Sequence, residues 1–210
     1  MSTGTTMFMT VMKKSCATVL SPDSFHRDIW KLFPGRKEAK RDFLFRADKL
    51  PGGLYNITMQ SRHRPQTEKQ DEFYVEVVKE YSPEFVKGGL YQFDIRVSPQ
   101  LSKRNSEGKR VLQRIYKSEQ QIDWLKKHLE RPTINSSYAS EPVCKIVQMD
   151  VIQNTEASFK SRKNEIAYPV VDFTGILQVL EPDDFKKMYL NGIGRQKVYG
   201  CGMLLLARLG

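Results

Sequence analysis

The 210 residues carry 34 Lys and Arg against 24 Asp and Glu, a formal net charge of +10, with 40% hydrophobic and 28% charged residues. Such a chain can bury one large core or two small ones, which excludes wholesale disorder, and its basic excess favours a polyanionic partner. Nucleic acid is preferred to an anionic membrane because no long basic amphipathic helix, lipidation signal or apolar run of spanning length is visible, and a soluble cytoplasmic protein is expected.

Residues 7–16 are β-compatible and run into a helix start at Ser21-Pro22-Asp23, where Ser21 suits the N-cap, Pro22 the first helical position and Asp23 the helix dipole. Phe25, Ile29, Leu32 and Phe33 then share one face until Pro34-Gly35 stops the helix. Strands are predicted at 42–47, 54–61, 73–78 and 90–97, the last with Tyr91, Phe93 and Ile95 on one face. Residues 98–110 are polar and breaker-rich, a junction or an RNA-facing loop. A second helix, 118–130, carries Ile122, Leu125 and Leu129 inward and opens on SEQQ, an approximate capping box. Strands resume at 144–152, 167–173 and 176–180, with a polar span at 153–165 that holds a basic knot, Lys160, Arg162 and Lys163. A helix near 183–190, a glycine cluster and a last strand, MLLLAR, complete the chain. This order fits an α+β fold of two consecutive split βαβ units better than one doubly wound sheet, which needs more long crossover helices. The domains are expected at 1–98 and 99–210.

The residues suited to chemistry are few. Cys16, Cys144 and Cys201 are odd in number, far apart and in apolar company, so reduced core thiols are expected and neither a zinc site nor a disulfide frame. The histidines do not pair at metal-ligand spacing. His63 and His128 read as surface residues. His26 follows buried Phe25 and so turns about 100° from the core stripe. Trp30 lies on its side of the helix, and Arg27 and Lys31 flank it. An imidazole beside phosphate-binding cations suits general acid or base work on RNA, and a solvated helix histidine is the plainer alternative. The basic knot is either a soluble hairpin tip or a set of phosphate contacts. GIGRQKVYGCG, 192–202, is a tight connection, an anion cradle that Arg195 and Lys197 would suit, or both. A dinucleotide fingerprint is not expected there, since it needs a helix after it and an acidic residue about 20 positions on, and eight residues follow Gly202.

In order, FHRDIWKLFPGRKEAKRDFLFR (25–46) and GIGRQKVYGCGMLLLA (192–207) resemble the CasE type of CRISPR-associated endoribonuclease in the RAMP superfamily, and the IDWL helix at 118–130 is similar to that family's middle helix. The resemblance implies tandem ferredoxin-like domains that bind the repeat stem-loop of a CRISPR precursor RNA. It further implies one cut at the stem base without a metal or other cofactor, by attack of a ribose 2′-OH, leaving a 2′,3′-cyclic phosphate and a 5′-OH. The product is expected to stay bound in a multisubunit Cascade-like effector. On this resemblance His26 moves a proton, Arg27 steadies the scissile phosphate, and Lys160, Arg162 and Lys163 grip the stem, with Lys31, Arg195 and Lys197 as further RNA contacts. Gly192, Gly194, Gly200 and Gly202 match the family's glycine loop. Asp23 occupies a position where the family commonly has tyrosine, and it is expected to act as a base or to serve the helix terminus. The rival readings are a non-catalytic RNA-holding subunit of the same fold and a nucleotide-binding enzyme.

Overall fold

The computed structural model describes residues 5–16, 20–36, 41–68, 71–134, 137–138, 141–161 and 164–210. The chain divides into two compact units, Met1–Pro83 with Lys197–Gly200, and Glu84–Gln196 with Cys201–Gly210.

The first unit contains β1 (Met7–Ser15), α1 (Pro22–Trp30), β2 (Phe43–Lys49), β3 (Leu54–Ser61) and β4 (Tyr74–Tyr81). The strands form one antiparallel sheet in the order β2-β3-β1-β4. β3 alternates strictly at first, so Tyr55, Ile57 and Met59 are buried, and they meet Phe25 and Ile29 of α1 in the same core as Phe43 and Phe45. β4 is a polar edge strand, which accounts for its running three residues past the apolar stretch that marked it in the sequence.

The second unit contains β5 (Leu90–Val97), β6 (Gln100–Arg104), β7 (Arg110–Arg114), α2 (Ser118–Glu130), β8 (Thr133–Ile134), β9 (Ser137–Tyr138), β10 (Cys144–Ser161), β11 (Asn164–Val179), α3 (Pro182–Asn191) and β12 (Leu204–Arg208). Its main sheet has the order β10-β11-β5-β12 and is antiparallel throughout. Across β5 and β11, Arg96 grips Asp172 with two bonds, Nε to Oδ1 at 2.8 Å and Nη2 to Oδ2 at 2.7 Å. In each unit the first strand lies between the third and the fourth of its own sheet, the α+β arrangement expected of split βαβ units. The second unit has a helix before its second and before its fourth strand, whereas among the described residues the stretch between β3 and β4 has none.

Four expectations change. The predicted boundary after residue 98 differs from the observed division, because the alternation of β5 marks a strand without naming its partners, and those partners are β11 and β12. Residues 98–110 form most of a two-stranded hairpin, β6 and β7, closed by Asn105 and Gly108. Within the polar span, residues 153–161 and 164–165 are the outer part of an 18-residue β10 and a 16-residue β11, solvated enough to lack apolar alternation. Ser21 takes the predicted N-cap position of α1, with Pro22 in the first turn, but the capping box predicted at 118–121 does not form. Lys117 stands at the N-cap of α2, and like Ser21 it makes no side-chain cap bond. Gln121, the residue meant for the capping box, is fully buried and donates instead to the Ile115 carbonyl at 2.9 Å.

Candidate active site

α1 presents two faces. Phe25 and Ile29 enter the core, while His26 and Trp30, one residue on from each, are half-buried beside β2. The His26 ring lies 5.7 Å from the Phe43 ring, and Trp30 packs edge-on against Phe43 at 5.2 Å. Trp30 Nε1–H donates to Nε2 of His26 at 3.2 Å. Burial, and then the Arg41 guanidinium, hold the His26 pKa below its ordinary value against an opposing pull from Asp23. The shift favours the neutral imidazole, the form equipped to take a proton.

The cations around this ring differ in how they are held. Arg27 is the most open, with its Nε 3.5 Å from Asp23 Oδ2 one helical turn back. Lys31 belongs to a network in which Glu72 and Asp28 each pair with both Lys14 and Lys31. That double pairing pulls the Glu72 carboxyl down to about 2. Arg41, just ahead of β2, is lowered by burial, and its Nη1 is buried without a hydrogen-bond partner. The turn Lys197–Tyr199 packs on α1 and β2. Burial, then Arg41, push the Lys197 ammonium down to about 8, while burial and then Asp23 raise the Tyr199 phenol. Two cations held close in a low-dielectric setting form a site that gains by receiving an anion. A cleft of about 360 Å³ on the outer flank of α1, lined by Arg27, Trp30, Lys31, Phe33 and Pro34, offers apolar surface between two of these charges.

Asp23, His26, Arg27 and Lys197 thus gather in the first unit, and Lys31 is drawn into its ion network. Arg195 belongs to the second unit. There it lines a groove of about 830 Å³ with Lys103, Arg110, Arg114 and Lys127 against the single carboxylate Asp123. Lys160 is exposed near the tip of the β10–β11 hairpin, opposite Glu165, and Arg162 and Lys163 lie outside the described residues.

The glycine cluster is more strongly structural than its composition suggests. The amides of Gly192, Ile193, Cys201 and Gly202 all donate to protein carbonyls, so they are not offered to an anion. His63 is on the surface as expected and pairs with Asp42. His128 is not. Its ring stacks on Trp124 at 4.0 Å, its Nδ1–H donates to the Trp124 carbonyl at 2.7 Å, and burial lowers its pKa. Arg41 and Tyr199 were missed in the sequence. The available signals were a base directly before an apolar strand and an aromatic ring inside a glycine cluster.

The family described as CRISPR associated protein matches residues 9–208, and the chain belongs to it. It is similar to the Cascade subunit CasE of Escherichia coli (strain K12), with 28% identity over 202 residues that cover 88% of this chain and 90% of that protein. Among solved structures it resembles Cas6e of Escherichia coli str. K-12, with 23% identity and a TM-score of 0.75 over 96% of this chain and 100% of that one. It also resembles Thermus thermophilus Cse3 bound to an RNA representing a pre-cleavage complex, with 21% identity and a TM-score of 0.76 over 96% and 98% of the two chains. These likenesses show the fold, two tandem ferredoxin-like α+β domains. Among the described residues no helix is long and apolar enough to cross a membrane.

Proposed function

We propose that this protein is a metal-independent endoribonuclease that binds the repeat stem-loop of CRISPR precursor RNA, cuts once at the stem base and stays on its product within a multisubunit, cytoplasmic effector. The observation that carries the reading is the half-buried His26 imidazole on α1, with Arg27 beside it on the helix and the Lys197–Tyr199 turn packed against that helix. A neutral base among cations suits a phosphodiester, where a proton must leave one oxygen while negative charge grows on the others.

The 2′-O–H bond breaks, its proton passes to His26, and the freed electron pair forms the new O–P bond. The P–O5′ bond breaks as the cyclic phosphate closes, and the departing oxygen takes a proton. Lys197 suits that donation, since an ammonium with a pKa of about 8 is still protonated at pH 7 yet gives up its proton more readily than an ordinary lysine. Arg27 and Arg41 stabilise the non-bridging oxygens. Asp23 holds Arg27 and limits its swing. Lys160 on the long hairpin, with Arg162 and Lys163 of the same basic sequence run and the groove that includes Arg195, follows the backbone of the stem, whose deep A-form groove favours shape and charge over base reading. A repeat hairpin carrying a single 2′-deoxy nucleotide at the cut site tests the chemistry. It should bind as the all-ribose hairpin does and remain whole. Cutting of the deoxy hairpin at that bond would refute 2′-OH attack.

The second reading is an RNA-holding subunit that does not cut. It is favoured by the Asp23 carboxylate, which places negative charge where the substrate phosphate would lie.

A further inference from the structure

We propose that Trp30 is a positioning residue for His26, fixing the imidazole as its Nδ1–H tautomer and keeping Nε2 as the nitrogen that receives the proton from RNA. The inference rests on the reading of His26 as the proton acceptor. An indole N–H can only donate. Its bond to Nε2 at 3.2 Å therefore makes Nε2 the acceptor and leaves the neutral ring's proton on Nδ1. Nδ1 has no hydrogen bond to another described residue, so this one bond selects the tautomer.

Packing gives the bond its direction. Trp30 meets His26 edge-on at 85°, and both rings rest on Phe43, which stacks in turn on Phe33 in the core. Their four-residue spacing on α1 sets the separation of the two rings. In the resting protein the indole hydrogen occupies the position that a substrate 2′-O–H must take. When RNA binds, the indole must yield this lone pair to the hydroxyl, which then meets an Nε2 that carries no proton of its own. The tautomer thus decides which nitrogen is the base, and a hydroxyl near Nε2 would find no acceptor if the proton sat there instead.

Among the described residues the charged and titratable groups around the ring are Asp23 and Arg27 on α1, Arg41 ahead of β2, and Lys197 and Tyr199 on the turn packed against α1. All remain in Trp30→Phe, so a change in His26 titration in that variant reports the indole N–H. A donor to Nε2 favours the neutral ring; its loss must raise the His26 midpoint.

Nitrogen-15 NMR of the labelled imidazole, assigned by the signal missing in His26→Ala, reads the tautomer directly. The wild type should show a protonated Nδ1 and a bare, hydrogen-bonded Nε2. Trp30→Phe should shift toward Nε2–H and titrate at higher pH. Its cleavage kcat should fall roughly tenfold with KM little changed, and the acid limb of its rate profile should move up in pH. Phe43→Leu, which loosens the packing but keeps the indole, should retain the wild-type tautomer. An Nε2–H ring in the wild type, or an unchanged midpoint in a folded Trp30→Phe protein, would overturn the proposal. A wild-type protein with the expected tautomer that never cuts RNA would support the Trp30 bond and count against the nuclease reading instead.

Discussion

Arg27 and Asp23 face each other across one turn of α1, Nε to Oδ2 at 3.5 Å, with the guanidinium the more exposed of the two at 62% against 32%. The pair places a carboxylate beside the charge best able to reach an incoming phosphate. If Asp23 acts only by holding Arg27, Asp23→Asn removes a repulsive charge and should tighten hairpin binding about two- to fivefold at moderate salt, the range of an exposed ion pair. The single-turnover cleavage rate should then change less than threefold. A fall of a hundredfold or more would make Asp23 itself the base.

Lys197 gives the protein a pH signature. Its folded pKa of about 8 lies below the ordinary lysine value of 10.5. Between these values the unfolded chain holds the proton and the folded chain does not, so stability rises with pH across that window. Lys197→Met should flatten this rise in urea titrations. A bound phosphate restores the ammonium, so hairpin binding near pH 8.5 should take up protons in the wild type and not in Lys197→Met. Calorimetry in buffers of different ionisation enthalpy measures that uptake directly.

Two glycines separate backbone strain from crowding. Gly108 and Gly194 both have positive φ, 75° and 72°, but a Cβ at Gly108 would meet open space, whereas one at Gly194 would lie 2.6 Å from Trp124 Cη2. Gly108→Ala should cost about 1 kcal/mol, the penalty of the left-handed backbone alone. Gly194→Ala adds overpacking to the same strain and should cost roughly 2–4 kcal/mol. Equal urea midpoints for the two variants would contradict this.

The groove between the β6–β7 hairpin and α2 predicts a salt effect separate from catalysis. Lys103→Gln and Arg110→Gln should each lower the slope of log affinity against log salt by about 1, if each cation meets one phosphate. Cleavage at saturating RNA should be unaffected, because neither residue is in the unit that holds His26. An unchanged slope would remove the groove from the RNA path.

Much of the site was legible because helical geometry is local. The 3.6-residue period alone put His26 beside Trp30 and off the Phe25 and Ile29 face, and the observed rings follow it. Strands β3 and β5 kept their predicted ends because one face of each is buried and the alternation is visible. The β10–β11 arm had no such signal, since its outer part is solvated. The approach of Lys197 and Tyr199 to α1 joins residues about 170 positions apart, and no local pattern encodes such a contact. Arg41 fell between the two cases. It was part of the recognised stretch, but its burial and its influence on both His26 and Lys197 follow from packing.

Everything proposed for this site depends on His26 transferring a proton in a metal-independent cut. The most direct measurement incubates the repeat hairpin with wild type and His26→Ala in EDTA and maps the product ends. The wild type should make one cut at the stem base, with a 2′,3′-cyclic phosphate and a 5′-OH, and His26→Ala should bind the hairpin without cutting it. Tight binding with no cut by either protein, or cutting by the wild type only when a divalent metal is restored, would contradict this mechanism.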